Sequence, residues 1–521
     1  MTNGAQSLLS TLVASGVDVC FANPGTSEMH FVAALDDVPA MRGVLTLFEG
    51  VATGAADGYG RVTDRPAAVL LHLGPGQGNG LANLHNARRA RTPLLNIIGD
   101  HAIDHARFDA PLASDVAAVS ATFSTAVITS TSPDEVSSDA VAAIEAAMGP
   151  PSGVATLILP ADVSWGATDA PVASTPLPVE RQRATDAEVT LAAGALRAAQ
   201  RPLLLVGGRA ARAGALDDAA RIAEATGATL MVETFPSIST RGAGTPIVQR
   251  LSYLPEFAAS QLGDVDLLVL VDAASPVSFF GYPGLDGDLV PAGAEVLVLA
   301  DATDDAPGTL AALADAVEAP AIASARNPAT VTPVPVGPLT GASLAAAVAA
   351  TIPEGTIVVD ESNTGGIYLA GATAGAPQHE WLALTGGAIG YGLPAALGAA
   401  LGRPGSPVLC LESDGSAMYT LQALWTIARE GLDVTVVILS NRSYAILTME
   451  LARVGATAEG SAASSMFDLS NPELDFVALG AGLGVPSSRV TTAEDLAAAL
   501  ATAFAEPGPR LIEAVLPPGL G

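Results

Sequence analysis

The feature of this 521-residue sequence that most restricts its fold is the alternation of short apolar runs with alanine-rich stretches. Runs such as "AAVLLHL" (67–73), "DLLVLVDA" (266–273) and "DVTVVIL" (433–439) recur from one end to the other. They are apolar throughout rather than at every second position, which predicts strands buried on both faces. Such strands, connected by helices, are typical of parallel sheets. We therefore expect an α/β fold made of doubly wound parallel sheets.

Two stretches rich in proline and small polar residues divide this alternation into three parts. They are "GATDAPVASTPLPVERQRATDAEV" (166–189) and "RNPATVTPVPVGP" (326–338). Composition of this kind is typical of linkers between domains. The sequence therefore predicts three doubly wound domains of similar size, at 1–165, 189–325 and 339–521.

Charge and composition exclude several functions. The net charge is −30, which disfavours nucleic acids and anionic membranes as partners, because both require a cationic surface. All 23 basic residues are arginines, and without lysine the chain lacks the essential residue of pyridoxal-phosphate enzymes, Walker P-loops and protein kinases. No apolar stretch approaches the roughly 20 residues of a membrane span, and the first residues lack the basic segment of a signal peptide. We expect a soluble, cytoplasmic protein.

In the first third of the chain, polar residues follow the predicted strands. They are Thr26, Glu49, His72, Asn79, His101 and His105. Because the carboxyl ends of parallel strands meet at one edge of a sheet, these side chains predict the rim of a pocket. The spacing of the last two histidines would suit a metal pair, but no third ligand is evident, so roles at the rim or at an interface are favoured.

In the last third, Asp414 follows "SPVLCL" and Asn441 follows the next apolar run, 27 residues later. Together with a backbone carbonyl near Ser443, these side chains offer the oxygen ligands that Mg²⁺ prefers. Gly415 and Ser416 begin a predicted helix, whose N–H groups favour an anion. A diphosphate bridged by magnesium explains both stretches better than two unrelated polar turns, which remain the alternative.

Taken together and in order, these motifs resemble those of thiamine-diphosphate-dependent enzymes. The resemblance rests on "ANPGTSE", "FEGVATGAADGYGR", "LLHLGPGQGN", "DESNTGG", "GGAIGYGLPAALGAALG" and the pair "DGS" and "NRSY". It covers essentially the whole chain, and it is strongest towards benzoylformate decarboxylase and the acetolactate synthases. It implies pyrimidine-binding, central and diphosphate-binding domains, with thiamine diphosphate and Mg²⁺ as cofactors. It also implies a homodimer or homotetramer, because in this family the glutamate and the diphosphate motif meet across two chains.

The resemblance assigns three catalytic positions. Glu49 matches the glutamate that binds the aminopyrimidine ring nitrogen and favours the imino tautomer, which removes the thiazolium C2 proton. His72 matches an active-site histidine of benzoylformate decarboxylase, suited to proton transfer near neutral pH. Thr26 stands where that enzyme has a serine.

The resemblance also assigns the residues that bind the cofactor. Ile389 would support its bent form, and the backbone of Gly387 would accept its amino group. The full set is Asn79, Asn363, Thr364, Gly387, Ile389, Asp414, Gly415, Ser416, Asn441 and Tyr444. The implied metal ligands are Asp414, Asn441 and Ser443.

Two positions depart from the family pattern. Ser413 replaces the first glycine of Gly-Asp-Gly, which leaves the backbone less free to approach phosphate. In "SPVSFFGYPG" (275–284), Gly281 stands where benzoylformate decarboxylase has its second catalytic histidine. Flavin-containing acetolactate synthases bind FAD in the middle domain, but "VGGRAARAG" (206–214) is a weak glycine pattern, so FAD stays open.

These observations predict an enzyme that decarboxylates a 2-oxo acid and then ligates the product to a second carbonyl, as acetolactate synthase does. Simple decarboxylation to an aldehyde is the alternative within the family. A non-catalytic regulatory or scaffold subunit that binds the cofactor is a further alternative. A nicotinamide-binding protein would need a strand-linked GxGxxG with an acid about 20 residues later, and this pattern is not found.

Overall fold

The structure, a computed structural model, describes residues 2–177, 179–456 and 460–519. Three sheets covered by helices follow one another along the chain, and their strands are parallel except for one edge strand of the third sheet. The continuous apolar runs form their central strands, which are buried on both faces. The α/β class and the three doubly wound units are thereby confirmed.

The first domain contains a six-stranded sheet in which all pairings are parallel. The strands of this part of the chain, two of which lie outside the sheet, are β1 (Thr2–Asn3), β2 (Val19–Ala22), β3 (Arg42–Leu45), β4 (Ala67–His72), β5 (Leu94–Asp100), β6 (Ala126–Thr129), β7 (Val154–Pro160) and β8 (Ala167–Thr168). Its helices are α1 (Gly4–Ala14), α2 (Met29–Asp37), α3 (Glu49–Thr63), α4 (Leu73–Ala90), α5 (Val116–Ala121), α6 (Val136–Met148) and α7 (Ala161–Trp165). The sheet order is β3-β2-β4-β5-β7-β6, while β1 and β8 form a separate antiparallel pair.

The middle domain contains a five-stranded parallel sheet in the order β12-β10-β9-β13-β14. Its strands are β9 (Pro202–Val206), β10 (Thr229–Val232), β11 (Ser239–Arg241), β12 (Gln249–Arg250), β13 (Leu267–Val271) and β14 (Glu295–Ala300). Its helices are α8 (Asp186–Ala198), α9 (Ala215–Thr226), α10 (Pro255–Leu262) and α11 (Ala306–Ala316). The strand β11 does not join the sheet of the middle domain; it pairs with β16 in the sheet of the third domain.

The third domain contains a seven-stranded sheet in the order β11-β16-β15-β17-β18-β20-β19. Its own strands are β15 (Ile357–Glu361), β16 (His379–Ala383), β17 (Val408–Ser413), β18 (Val434–Ser440), β19 (Ser487–Val490) and β20 (Arg510–Val515). Its helices are α12 (Gly341–Thr351), α13 (Leu369–Ala372), α14 (Gly392–Gly402), α15 (Asp414–Thr420), α16 (Ala423–Arg429), α17 (Ala445–Arg453), α18 (Ser461–Ser465), α19 (Phe476–Gly482) and α20 (Ala493–Ala505). Only the borrowed strand β11 is antiparallel to its neighbour; it covers the edge of β16 that would otherwise lack a partner.

The first and third domains pack through α3 and α14, whose backbones touch. A Cβ on Gly398 would overlap the carbonyl oxygen of Ala55, and one on Gly58 would overlap the backbone of Ala395. Glycine is therefore required at both positions. We call this contact, made by residues 54–63 and 394–402, the glycine seam.

A single arginine joins all three domains. Arg61, on α3, forms a buried ion pair of 2.6 Å with Asp57, and its guanidinium lies 4.6 Å from the centre of the Tyr391 ring. It also donates to the carbonyl oxygens of Ser237 (3.3 Å) and Ala383 (2.7 Å). Because a buried charge is tolerated only when it is paired and hydrogen-bonded, this contact requires the three domains to be in place together.

None of the helices in the described residues is both long and apolar enough to cross a membrane.

Candidate active site

The first residue after β17 is Asp414, and its carboxylate connects two neighbouring strand ends. It is 3 % exposed, and it accepts hydrogen bonds from the N–H of Gly415 (2.8 Å) and of Arg442 (2.6 Å), which follows β18. Burial raises the pKa of Asp414, which these two N–H donors partly counteract. Each carboxylate oxygen keeps a lone pair for a further partner.

Asn441 lies directly after β18, beside Asp414. Its Oδ1 accepts from the N–H of Ser443 (3.0 Å), and its Nδ2 donates to the carbonyl of Gly519 (3.2 Å). Ser443 forms an antiparallel bridge with Asp468, but the hydrogen bonds of this bridge are made by the residues on either side. The bridge therefore does not use the Ser443 carbonyl.

These three groups fit a magnesium ion that is shared with phosphate oxygens. Asp414, Asn441 and Ser443 offer a carboxylate, an amide oxygen and a backbone carbonyl at the ends of two paired strands. Mg²⁺ typically takes one or two protein carboxylates and completes its shell with phosphates and water. No cluster of three or more His, Cys, Asp or Glu side chains suited to a metal occurs in the described ranges.

Side chains around the start of α15 form a tight cradle. A Cβ on Gly415 would overlap the ring of Tyr444, so only glycine fits there. Asn363, which adopts a positive φ of 48°, donates to the hydroxyls of Ser413 (3.0 Å) and Ser416 (3.2 Å). Thr364 lies in the same 3₁₀ turn, Asn363–Gly366.

Ser413 is accommodated without backbone strain. Its φ of −76° and ψ of 147° are extended values that any residue adopts. Its hydroxyl donates to the carbonyl oxygen of Glu361 (2.9 Å). The missing glycine therefore does not distort the turn that carries Asp414.

The loop before α14 is held by side chains of α4. The amide of Asn86 donates to the carbonyl of Ala388 (2.8 Å) and accepts from its N–H (3.2 Å). Asn83 donates both to the carbonyl of Gly390 (3.1 Å) and to that of Gly50 (2.8 Å). Gly387 and Ile389 lie in this loop, and Gly387 has a φ of 73°, which favours glycine.

Aromatic rings of the middle domain border the same loop. The ring of Phe279 lies 3.5 Å from the position of a Cβ on Gly387. It packs against Phe235, Tyr253 and Phe280, with ring centres 5.2 to 5.6 Å apart. The space beside Gly281, which stands at the position predicted to match a histidine of benzoylformate decarboxylase, is open. The middle domain thus contributes an apolar wall here rather than a proton donor.

Glu49 and His72 lie on either side of Gly76, in the first domain. Glu49 begins α3, is 8 % exposed, and accepts a hydrogen bond from Asn79 Nδ2 (3.0 Å). Its Oε1 and the Cβ of His72 both lie 3.4 Å from the position of a Cβ on Gly76. The small residues of "LGPGQGN" therefore leave room for both side chains at the start of α4.

His72 is held by an acid that sequence reasoning missed. Glu28 is 2 % exposed, and its carboxylate accepts from the N–H of Gly25 (2.7 Å) and lies 3.0 Å from His72 Nδ1. Ser27 Oγ lies 3.0 Å from the same nitrogen, whereas Thr26, the residue that the resemblance places at the position of a serine, is exposed. We assign the Nδ1 proton to the bond with Glu28, which leaves Nε2 for a substrate. An acid in "NPGTSE", at the end of a strand, was the available signal.

His101 and His105 lie apart from these pairs. Their ring centres are 5.5 Å apart, and His105 is exposed. No third metal ligand accompanies them within the described part of the chain. A role at the rim of the site or at an interface stays a prediction.

A second pair of acids lies next to the loop before α14 (387–390), which we call the cofactor loop. Glu361 ends β15 and faces Glu412 of β17 in the strand register, and both are buried. Burial raises the pKa of Glu361 to about 7 and that of Glu412 well above its ordinary value. Glu361 accepts from the N–H groups of Gly390 (2.7 Å), Tyr391 (2.8 Å) and Gly392 (2.5 Å). The motif "DESNTGG" contained this residue, but no role followed from the sequence.

The glycine turn of the middle domain is filled by acids. Glu233 accepts from the N–H of Gly208 (2.9 Å), and Asp272 accepts from the N–H of Arg209 (2.8 Å) and from the Arg91 guanidinium (2.5 Å). Burial raises the pKa of Glu233 to about 7. The diphosphate of a flavin nucleotide would meet these two carboxyl groups, so the residues at this turn do not fit FAD.

Comparison with known proteins gives a consistent result. Residues 2–119 match the family model "Thiamine pyrophosphate enzyme, N-terminal TPP binding domain", and residues 363–514 match the corresponding C-terminal TPP binding domain. A Mycobacterium tuberculosis protein, provisionally named acetolactate synthase large subunit IlvX, is 58 % identical over 100 % of both chains. Benzoylformate decarboxylase of Pseudomonas aeruginosa is 30 % identical over 96 % of both.

Among solved structures, the thiamine diphosphate-dependent 4-hydroxybenzoylformate decarboxylase of Rhodococcus jostii RHA1 superposes with a TM-score of 0.84. It is 26 % identical to this chain, and 100 % of each chain is covered.

Proposed function

The chain belongs to the thiamine pyrophosphate enzyme family, and from this premise we propose that it decarboxylates a 2-oxo acid and releases the aldehyde. We further propose that it does so with thiamine diphosphate and Mg²⁺. The observation that carries the proposal is the contact between His72 and Glu28 beside Glu49. It supplies a proton donor next to the group that activates the cofactor.

Thiamine diphosphate, when bound, supplies a thiazolium carbon that adds to the substrate carbonyl, and its ring accepts the electron pair that remains when CO₂ leaves. Asp414, Asn441 and Ser443 would hold Mg²⁺ and, through it, the diphosphate. The carboxyl group of Glu49 would hold a proton at the pyrimidine ring nitrogen. Its low exposure keeps water from competing for that proton.

His72 determines what happens after CO₂ leaves. Because its Nδ1 is bound to Glu28, the imidazole is fixed in orientation and Nε2 is left for a substrate. When Nε2 carries a proton, it can give that proton to the former carbonyl carbon of the substrate. A positioned acid at this carbon favours protonation over attack on a second carbonyl, so the expected product is an aldehyde.

Carboligation, which the sequence favours, is the second candidate. The relative that is 58 % identical has a provisional acetolactate synthase name. Gly281 stands where benzoylformate decarboxylase would have its second histidine, and the space there is open. With one proton donor fewer, a second carbonyl compound has room to compete for the same carbon.

Mass spectrometry of the products from a panel of 2-oxo acids, with added thiamine diphosphate and Mg²⁺, tests the proposal. We expect aldehydes from the wild type and no product from Glu49→Gln. Hydroxyketones as the main product would replace decarboxylation by carboligation. If the cofactor binds but no 2-oxo acid is consumed, the chain is a non-catalytic cofactor-binding subunit.

We also propose that the chain forms a homodimer or a dimer of dimers. Large apolar side chains are exposed next to the site, at Leu47 near Glu49 and at Met418 and Tyr419 on α15. A second copy of the chain would cover them. Light scattering on the active enzyme checks this, and an active monomer would contradict it.

A further inference from the structure

We propose that Glu361 is a positioning residue, which keeps the cofactor loop (387–390) aligned with the strand ends that bind the diphosphate. This inference rests on the proposed function, because it concerns the same cofactor. It assigns a role to a residue outside the predicted catalytic and cofactor-binding sets.

The side chain of Glu361 binds the junction between the cofactor loop and α14. Its carboxylate accepts from three successive N–H groups, those of Gly390, Tyr391 and Gly392. They lie at the entry to α14, where Gly392 is the first helical residue and Tyr391 provides no side-chain cap, so these N–H groups have no partner within the helix. Glu361, which ends β15, thus takes the place of the missing cap and fixes where the loop ends and α14 begins.

The backbone of Glu361 binds the other half of the site. Its carbonyl oxygen accepts from the hydroxyl of Ser413 (2.9 Å) and from the amide of Asn363 (3.3 Å). Ser413 directly precedes Asp414, and Asn363 also binds Ser416. A single residue therefore contacts the loop through its carboxylate and the diphosphate cradle through its carbonyl.

Without this residue the loop would be held mainly by side chains of the first domain, with one bond from the third domain, that of Thr420 Oγ1 to the carbonyl of Gly390 (3.0 Å). Asn86 and Asn83, on α4, bind Ala388 and Gly390. The positive φ angles of Gly387 (73°) and Gly390 (90°) favour glycine at both positions, and a Cβ on Gly390 would overlap that of Tyr419. Glu361 provides the link from this segment to the sheet that carries Asp414, so its loss should change the distance between the two halves of the site.

The substitution Glu361→Gln tests this with little change in volume. It would place an NH₂ group against backbone N–H donors, which cannot hydrogen-bond to it. Calorimetry with Mg²⁺ would measure two dissociation constants, one for thiamine diphosphate and one for inorganic pyrophosphate. We expect thiamine diphosphate to bind at least about tenfold more weakly, since an unsatisfied buried donor has an effect of that order. Pyrophosphate should bind within about twofold of wild type, because the cradle itself is intact.

A matched control is available in the same sheet. Glu513, on β20, is also buried and is hydrogen-bonded to Arg489 (3.0 Å). Glu513→Gln should leave both dissociation constants unchanged. If Glu361→Gln fails to fold, Glu361→Asp retains the charge but withdraws it by one methylene, and the same difference between the two ligands is expected.

Three results would overturn the inference. Equal weakening of both ligands would mean that Glu361 supports the diphosphate cradle or the fold as a whole. Unchanged binding of thiamine diphosphate by a folded Glu361 variant would mean that the loop is positioned without it. A wild type that binds no thiamine diphosphate would overturn the proposed function, and this inference with it.

Discussion

The strand ends of the first and third domains both carry acids, but they hold them in different ways. In the first domain, side chains bind side chains: Asn79 binds Glu49, and Glu28 binds His72. In the third domain, backbone N–H groups bind the carboxylates of Asp414 and Glu361. A backbone N–H holds a carboxylate in place but cannot give up its proton, and neither can the amide of Asn79, whereas the imidazole of His72 can. The first domain therefore supplies the group for proton transfer, and the third supplies Asp414 as a carboxylate fixed between two strand ends.

The largest effect should come from removing the fixed charge. Asp414→Ala removes the carboxylate that connects β17 and β18 and would bind Mg²⁺, so we expect the cofactor to be lost altogether. Calorimetry with thiamine diphosphate and Mg²⁺ measures this. Asp433→Ala, at the opposite end of β18, is the control. Wild-type affinity in Asp414→Ala would remove the metal assignment and the contrast between the two domains.

On the proton-transfer side, Glu49→Gln should leave binding intact and slow the chemistry. The amide keeps the shape of the carboxyl group but cannot share a proton with the pyrimidine nitrogen. We expect C2–H exchange of the bound cofactor to slow by orders of magnitude, about 10²–10⁴-fold for a positioned acid–base group. Deuterium exchange followed by NMR measures it. Exchange at the wild-type rate would show that Glu49 does not activate the cofactor.

His72→Ala should separate the two proton transfers within the first domain. Turnover should fall by about 10²–10⁴-fold, while C2–H exchange stays near the wild-type rate, because Glu49 is untouched. Glu28→Gln should act in the same direction by a part of that factor, about tenfold. Steady-state kinetics beside the exchange measurement checks both. Normal turnover in His72→Ala would return this histidine to a structural role.

The smallest effect concerns Glu233, which is held by a backbone N–H like the acids of the third domain but lies outside the cofactor site. Burial raises its pKa in the folded chain from 4.5 to about 7. The folded state therefore binds this proton more tightly than the unfolded state, and stability falls as pH rises from about 4.5 to above 7.

Glu233→Gln removes this pH-dependent term and keeps the acceptor for Gly208. At pH 8 the free energy of unfolding of the variant should exceed that of wild type by up to about 3 kcal/mol, and its unfolding temperature should be higher. Near pH 5 both differences should vanish. Thermal unfolding at both pH values measures this. A variant that is less stable at pH 8, or that has lost affinity for the cofactor, would place Glu233 among the functional acids instead.

The sequence predicts the central strands of each sheet well but misses some of the edge strands. Strands β4, β5, β13, β17 and β18 are apolar throughout because both faces are covered, and this pattern is visible without a structure. The edge strands β6 and β19 are partly exposed and carry polar residues, so no continuous apolar run marks them. The pairing of β11 with the third domain depends on contacts far apart in sequence.

The same distinction applies to the site. The positions of Glu49, His72, Asp414 and Asn441 after strands could be predicted because each follows an apolar run within a recognisable motif, while their roles in binding and catalysis stay predictions. The roles of Glu28 and Glu361 could not, because they depend on neighbours in space: His72 is 44 residues from Glu28, and Tyr391 is 30 residues from Glu361. A single acid at the end of a strand has many uses, and only its partners decide among them.

The glycine seam has a consequence for how the site is assembled. Because backbone meets backbone at Gly58 and Gly398, α3 and α14 cannot slide past each other without a clash. Glu49 begins one of these helices, and the loop 387–390 precedes the other. Both surfaces are therefore preformed in each folded chain. The conformational entropy of these two surfaces is lost when the chain folds and not when a ligand binds. A cofactor would therefore bind to them without further rearrangement of either surface.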